Sequence, residues 1–177
     1  MRLKLARFRA GEGAGVSFVV SPSGKEGAGE PLDTRRLSVP GTDAGIRTVL
    51  DALEAFAAGH GLSKAVTWPV EVSLDEVLAN VVRHGLLGRG ETATVEVELR
   101  LDLDPDPPVC EVVVTDDGPG FDPLAAPEPD MSLGIEDRPI GGLGISLVRR
   151  LMDEAEYERR EGRNRLRLRR RLVAIEG

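Results

Sequence analysis

Val109-Cys-Glu-Val-Val-Val-Thr-Asp-Asp-Gly-Pro-Gly-Phe-Asp-Pro123 reads as an apolar strand that runs directly into an acidic, glycine-rich turn. A run as apolar as residues 109–114 belongs near the centre of a sheet, where both faces are covered. Upstream, Asp104-Pro-Asp-Pro-Pro108 makes a turn. Before it, Val95, Val97, Leu99, Leu101 and Leu103 alternate with Glu96, Glu98, Arg100 and Asp102, a strand with one face in the core and one in water. Downstream, residues 122–142 form a loop rich in proline, glycine and acid, and Leu143, Leu147, Val148 and Leu151 mark a helix. The chain then offers a hairpin. Residues 155–159 lead to a turn at Glu161-Gly-Arg-Asn164, and Leu166, Leu168 and Leu172 alternate with Arg165, Arg167, Arg169 and Arg171.

Further upstream, a short strand at residues 37–39 is followed by Thr42 or Asp43 as the cap of a helix whose stripe is Ile46, Val49, Leu50, Leu53 and Phe56. Gly59-His-Gly61 stops it. Trp68-Pro69 reads as a break, after which a second helix buries Leu74, Val77, Leu78 and Val81 and ends at Gly85. Residues 1–35 differ. Two short alternating stretches, 3–8 and 16–20, joined by Gly11-Glu-Gly-Ala-Gly15 and followed by a Gly-, Ser- and Pro-bearing segment, suggest a hairpin plus flexible linker. The expected organisation is one domain at 36–177 with an N-terminal extension at 1–35, in a chain long enough to bury a core without disulfides or metal.

Composition narrows the functions. The chain is 41% hydrophobic and 30% charged, as in an ordinary globular protein, and no apolar run approaches the roughly 20 residues that span a bilayer. Charge interrupts the first residues too often for a secretory signal, so a cytoplasmic location is expected, without membrane association. The single cysteine, Cys110, allows no intrachain disulfide and no cysteine-only zinc site, and His60 and His84 are too few for a histidine-rich metal centre. A net charge of −7 argues against direct nucleic-acid binding, which needs basic side chains against phosphates.

Three elements carry chemistry. Glu76-Val-Leu-Ala-Asn80 places a carboxylate and an amide one turn apart on the second helix, with His84 a further turn on. They form either a polar helix edge or a site. Asn inside a helix costs up to ~0.7 kcal/mol relative to Ala, which favours a reason for its presence. Asp116-Asp-Gly-Pro-Gly120 is either an ordinary acidic turn or a place where glycines admit a ligand while the carboxylate accepts from an amino group. Gly141-Gly-Leu-Gly144 opens a helix, so its backbone N–H groups offer a seat for phosphate oxygens. It fits neither a P-loop nor a Rossmann fingerprint, having no Lys-Ser/Thr and no strand immediately before it.

In this order, Glu-x-x-x-Asn on a helix, Asp-x-Gly-x-Gly after a strand, and a loop of about twenty residues closing on Gly-x-Gly, the motifs resemble those of the Bergerat-fold ATPases. The finer pattern, Glu76 to Gly85 with residues 116–123 and Gly141-Gly-Leu-Gly-Ile-Ser-Leu-Val-Arg-Arg-Leu-Met-Asp153, resembles the anti-sigma-factor serine/threonine kinases. The likeness spans 36–177. It implies an α+β fold, a two-layer α/β sandwich of the Bergerat type with a mixed, largely antiparallel sheet and helices on one face, here with a small N-terminal β appendage.

The same resemblance implies ATP and Mg²⁺ as cofactors and phosphorylation of a small STAS-type anti-sigma-factor antagonist, coupled to sequestration of a sigma factor. Glu76 would be the general base. Asp75 is its chemical competitor but does not lie one turn from Asn80. Asn80 would give its amide oxygen to Mg²⁺. Asp116 would accept from the adenine amine, with Gly118 and Gly120 letting the base lie against the backbone. Gly142, Leu143 and Gly144 would wrap the phosphates beneath a lid at 122–141. His84 is either near the phosphates or a structural helix-end residue. A homodimer is implied by the family. Two departures stand out. Many relatives place a threonine on a late strand near the adenine, whereas Asn164-Arg-Leu-Arg-Leu168 offers none, and residues 1–35 have no counterpart. The alternative function is a nucleotide-dependent sigma-factor or antagonist binding module without phosphotransfer. An isolated histidine-kinase ATPase domain fits less well, since 1–35 holds no helix pair bearing a phosphoacceptor histidine.

Overall fold

The computed structural model describes residues 17–20, 32–86, 93–125 and 143–173. Six strands form one sheet in the order β1-β2-β3-β4-β6-β5: β1 Ser17–Val20, β2 Leu32–Pro40, β3 Thr94–Asp102, β4 Val109–Asp116, β5 Glu154–Arg160 and β6 Arg163–Arg171. Every described pairing is antiparallel. Three helices, α1 Asp43–Gly59, α2 Lys64–Asn80 and α3 Leu143–Leu151, pack side by side with α2 in the middle and share one face of the sheet. This is the expected two-layer α+β architecture, except that the described sheet is wholly antiparallel where a mixed, largely antiparallel one was expected.

The core lies between the layers. Val95, Val97, Leu99 and Leu101 of β3 and Leu166 and Leu168 of β6 meet Val49 and Leu53 of α1, Leu74, Val77 and Leu78 of α2, and Val148 of α3, all at most 5% exposed. Burial of each such Leu or Val contributes about 1.5–3 kcal/mol. Leu103, expected to continue the β3 alternation, lies past the strand end and is exposed. β4 is covered almost throughout, as its apolar run implied, and it occupies the central position between β3 and β6.

Among the described residues, the opposite face carries charge instead of a second layer. In register across β2, β3, β4, β6 and β5, Arg36, Glu98, Val113, Arg167 and Glu156 form one row, and Thr34, Arg100, Glu111, Arg169 and Glu154 the next. Arg36 meets Glu98 at 2.7 Å, Arg100 meets Glu111 at 2.6 Å and Arg167 meets Glu156 at 2.6 Å. Burial raises the Glu98 carboxyl, but the bonds and charges of Arg100 and then Arg36 outweigh it and hold the group below its ordinary value. Val113, flanked by Glu98 and Arg167, is only 3% exposed, as expected where long charged stems lie over an apolar residue.

Several boundaries differ from the sequence reading. β2 begins at Leu32 rather than residue 37, and β1 pairs with β2 from Ser17↔Ser38 to Val20↔Arg35. The expected partner stretch at 3–8 lies outside the described residues. Thr42 is the α1 cap, its hydroxyl accepting from Gly45 N–H at 3.2 Å. At the other end the His60 ring donates to the Phe56 carbonyl at 2.8 Å and meets Asp33 at 2.9 Å, tying α1 to the start of β2. Trp68-Pro69 does not break α2, which starts at Lys64 and includes both residues. Proline there forfeits the bond to the Ala65 carbonyl and crowds that group, but Ala65 is exposed, so its carbonyl can tilt outward to water.

Candidate functional site

α2 does not stop cleanly after Asn80. It widens into a single π turn, Val81–Gly85, in which the Leu86 N–H reaches the Val81 carbonyl at 3.0 Å. Such wide turns recur at functional sites. Here it brings Gly85 against the loop that follows β4. A Cβ on Gly118 would lie 2.5 Å from the Gly85 carbonyl oxygen, and one on Gly85 would lie 3.5 Å from Asp116 Oδ1. Only glycine at 118 permits this approach.

Asp116 ends β4 and is 4% exposed. Both protein donors go to the same oxygen: Gly118 N–H at 2.8 Å and Asn164 Nδ2 at 2.9 Å bond Oδ1. A carboxylate accepts at both oxygens, so Oδ2 is the one available to an amino group. Val77, Asn80, Val81, Val114, Phe121, Pro123, Tyr157 and Leu166 complete the cleft. Its free volume is about 30 Å³, room for a water or two. Phe121, 48% exposed, stands at the mouth, its ring 6.2 Å from that of His84. His84 is exposed and faces this aromatic side of the cleft.

Glu76 and Gly144 come together at the other end. A Cβ on Gly144 would overlap the Glu76 carboxylate, with Glu76 Cδ at 2.8 Å and Cγ at 3.3 Å, so that space belongs to the acid. The carboxylate thus lies at the first turn of α3, where backbone N–H groups are unpaired and the helix dipole is positive. Asn80, one turn on, lines the cleft between Glu76 and Asp116. Asp75 is exposed on another side of α2. Gly142 lies outside the described residues, as do 126–141 of the expected lid, and Leu143 contributes the first backbone group of α3. The start of that loop is anchored: Asp122 Oδ1 accepts from Leu124 N–H at 2.8 Å, and Arg149 of α3 donates to the Leu124 carbonyl.

Three residues that the sequence reading left out complete the site. Asn164, read as part of a turn, is in β6 directly opposite Asp116. The turn is only Glu161-Gly162, with φ of 53° and 79°, a two-residue type I′ connection that joins Arg160 to Arg163. Asn164 Oδ1 accepts from Tyr157 Oη at 2.8 Å and Arg159 Nη1 at 2.7 Å. Arg159 also donates to the Gly118 carbonyl at 3.1 Å and lies over Gly120, where a Cβ would stand 3.1 Å from its Cδ. A neighbouring cation, Arg163, is held by Glu96 at 2.8 Å, and its pKa is raised by that bond and then by the charges of Glu96, Asp117 and Asp116. Among the described residues no three His, Cys, Asp or Glu side chains could hold a metal ion together.

A buried acceptor at the end of a central strand, facing a helix N-terminus across a helix that bears Glu and Asn, defines a nucleotide-binding domain of the Bergerat class. A profile of the histidine kinase-like ATPase domain family matches residues 39–170. The chain belongs to that family. It is 31% identical over 136 residues to the serine/threonine-protein kinase BtrW of Bordetella bronchiseptica, covering 77% of this chain and 91% of that one. That relative bears out the resemblance to the anti-sigma-factor kinases. The fold also matches the solved RsbU and RsbW domains of Rv1364c from Mycobacterium tuberculosis, with a TM-score of 0.56 at 19% identity, covering 80% of this chain and 33% of that longer one.

Proposed function

We propose that the chain is an Mg²⁺ATP-dependent serine/threonine protein kinase and anti-sigma regulatory factor, which phosphorylates a small STAS-type anti-sigma-factor antagonist and sequesters a sigma factor. The observation that carries the reading is the Glu76 carboxylate seated against Gly144 at the start of α3, one turn from Asn80. The residues suit the nucleotide: Asp116 offers Oδ2 to the adenine amine, and α3 offers N–H groups to phosphate oxygens. The cleft has about 30 Å³ of free volume with Phe121 at its mouth, so entry of the base requires Phe121 to move.

Glu76 accepts the proton of the substrate hydroxyl as that oxygen forms its bond to the γ-phosphorus and the bond to the ADP oxygen breaks. Asn80 would hold Mg²⁺ through its amide oxygen. Magnesium, when bound, neutralises charge on the phosphates. The expected extension at 1–35 adds β1 to the sheet edge, while its last residues, from Leu32, belong to β2 and so to the catalytic domain; the family resemblance leads us to expect a homodimer.

Glu76→Gln tests the reading. With ATP, Mg²⁺ and the antagonists encoded in the same genome, the wild type labels one antagonist on serine or threonine, and the variant binds ATP but loses transfer by about 10²-fold or more. A wild type that binds antagonist and nucleotide without labelling it would overturn phosphotransfer and leave a nucleotide-dependent binding module.

A further inference from the structure

Asn164 uses its whole amide. Its two N–H donors go to Asp116 Oδ1 and the Pro119 carbonyl, both at 2.9 Å, and its oxygen accepts from Tyr157 and Arg159. The residue is 6% exposed. Carboxylate and carbonyl oxygens only accept here and a guanidinium only donates, so a single orientation of the amide satisfies all its neighbours. Turned over, it would set a carbonyl oxygen against Asp116 and an NH₂ against Arg159.

We infer that Asn164 is the residue that sets purine selectivity, and that Tyr157 and Arg159 of β5 act through it as positioning residues. By occupying Oδ1, Asn164 fixes the Asp116 rotamer and aims Oδ2 into the cleft as a pure acceptor, which fits a 6-amino purine and rejects a 6-oxo purine. The bond to Pro119, with that from Arg159 to Gly118, ties the following loop to β5 and β6 beside the cleft. Tyr157 and Arg159 need not touch the nucleotide. They keep the amide from turning, so selectivity depends on two side chains of an edge strand. This rests on the nucleotide reading above and specifies its adenine end.

The test compares binding of ATP, GTP and purine riboside triphosphate, which lacks the 6-amino group, by calorimetry with the full chain. The wild type prefers ATP over purine riboside triphosphate by about tenfold or more, the worth of one charge-assisted hydrogen bond. Asn164→Asp sets a second carboxylate against Asp116 in place of a donor and brings the ratio to within about twofold. The paired replacement Tyr157→Phe with Arg159→Met leaves Asn164 in place but frees its orientation, and it lowers the ratio at least about threefold with ADP-stabilised melting retained. Selectivity kept in both variants would overturn the inference while leaving the nucleotide site intact. A wild type that binds no ATP would instead remove the functional reading itself.

Discussion

Replacing Gly144 with alanine separates catalysis from stability. The new Cβ would stand 2.8 Å from Glu76 Cδ, and ordinary contact begins at about 3.4 Å, so the carboxyl group must retreat by at least ~0.6 Å and its nearer oxygen further. Glu76 is partly exposed and can rotate away. Gly144 is the second residue of α3, where alanine regains up to ~1 kcal/mol of helix propensity. The melting temperature therefore changes by no more than about 4 °C, in either direction. Transfer suffers instead. A misplacement near 1 Å costs on the order of 10²-fold, so single-turnover transfer from labelled ATP to the antagonist falls about 10- to 100-fold while ADP affinity holds within about threefold.

A cycle with Glu76→Gln gives the decisive comparison. In that background the base is already gone, so adding Gly144→Ala lowers the residual rate by less than about twofold. An equal loss in both backgrounds would refute the reasoning, because alanine would then be disturbing the phosphate seat and not the acid. Wild-type transfer by Gly144→Ala would refute it as well.

Two further outcomes follow from the scaffold. Burial, and then the Glu111 charge, push the Cys110 thiol from its ordinary value near 9 up to about 12. The unfolded chain therefore releases this proton first, so the contribution to stability is complete below pH 9 and is lost as pH rises toward 12. At pH 8 a thiol reagent labels Cys110 only in denaturant, and rapid labelling of native protein would contradict the burial. Gly162→Ala forces a side chain into φ 79° and costs ~1–2 kcal/mol, or about 2–8 °C in melting temperature. An unchanged melting curve would show that the two-residue turn is wrong.

What was legible in the sequence was whatever periodicity encodes. The alternation in β3, the apolar run of β4 and the α1 stripe follow from burying one face or two, and each was found near its place. The errors have physical causes. Pro69 reads as a break because proline lacks a donor and crowds the carbonyl one turn back, yet that carbonyl belongs to exposed Ala65 and is open to water. β2 was read short because Asp33, Thr34, Arg35 and Arg36 show no apolar alternation, although its ladder with β3 runs from Leu32↔Asp102 to Pro40↔Thr94.

Asn164 was missed for a subtler reason, and it is the instructive one. Glu161-Gly-Arg-Asn164 contains two residues at home in turns, which assigns Asn164 to a four-residue turn even though Asn164-Arg-Leu-Arg-Leu168 is also the late-strand stretch that lacks the relatives' threonine. Turn length decides whether Asn164 lies within the strand, and the alternation with Leu166 and Leu168 decides its face. With a two-residue type I′ connection, Arg163, Arg165 and Arg167 point to the charged face, while Asn164, Leu166 and Leu168 point inward and Asn164 meets Asp116. The rule that forbids most side chains at φ 79° thus fixes Gly162, Gly162 fixes the register of β6, and the register puts an amide where the adenine-binding acid needs a donor. A signal was present in the sequence: Asn-Arg-Leu-Arg-Leu already alternates, and extending that alternation one residue toward the turn places Asn164 among the buried positions.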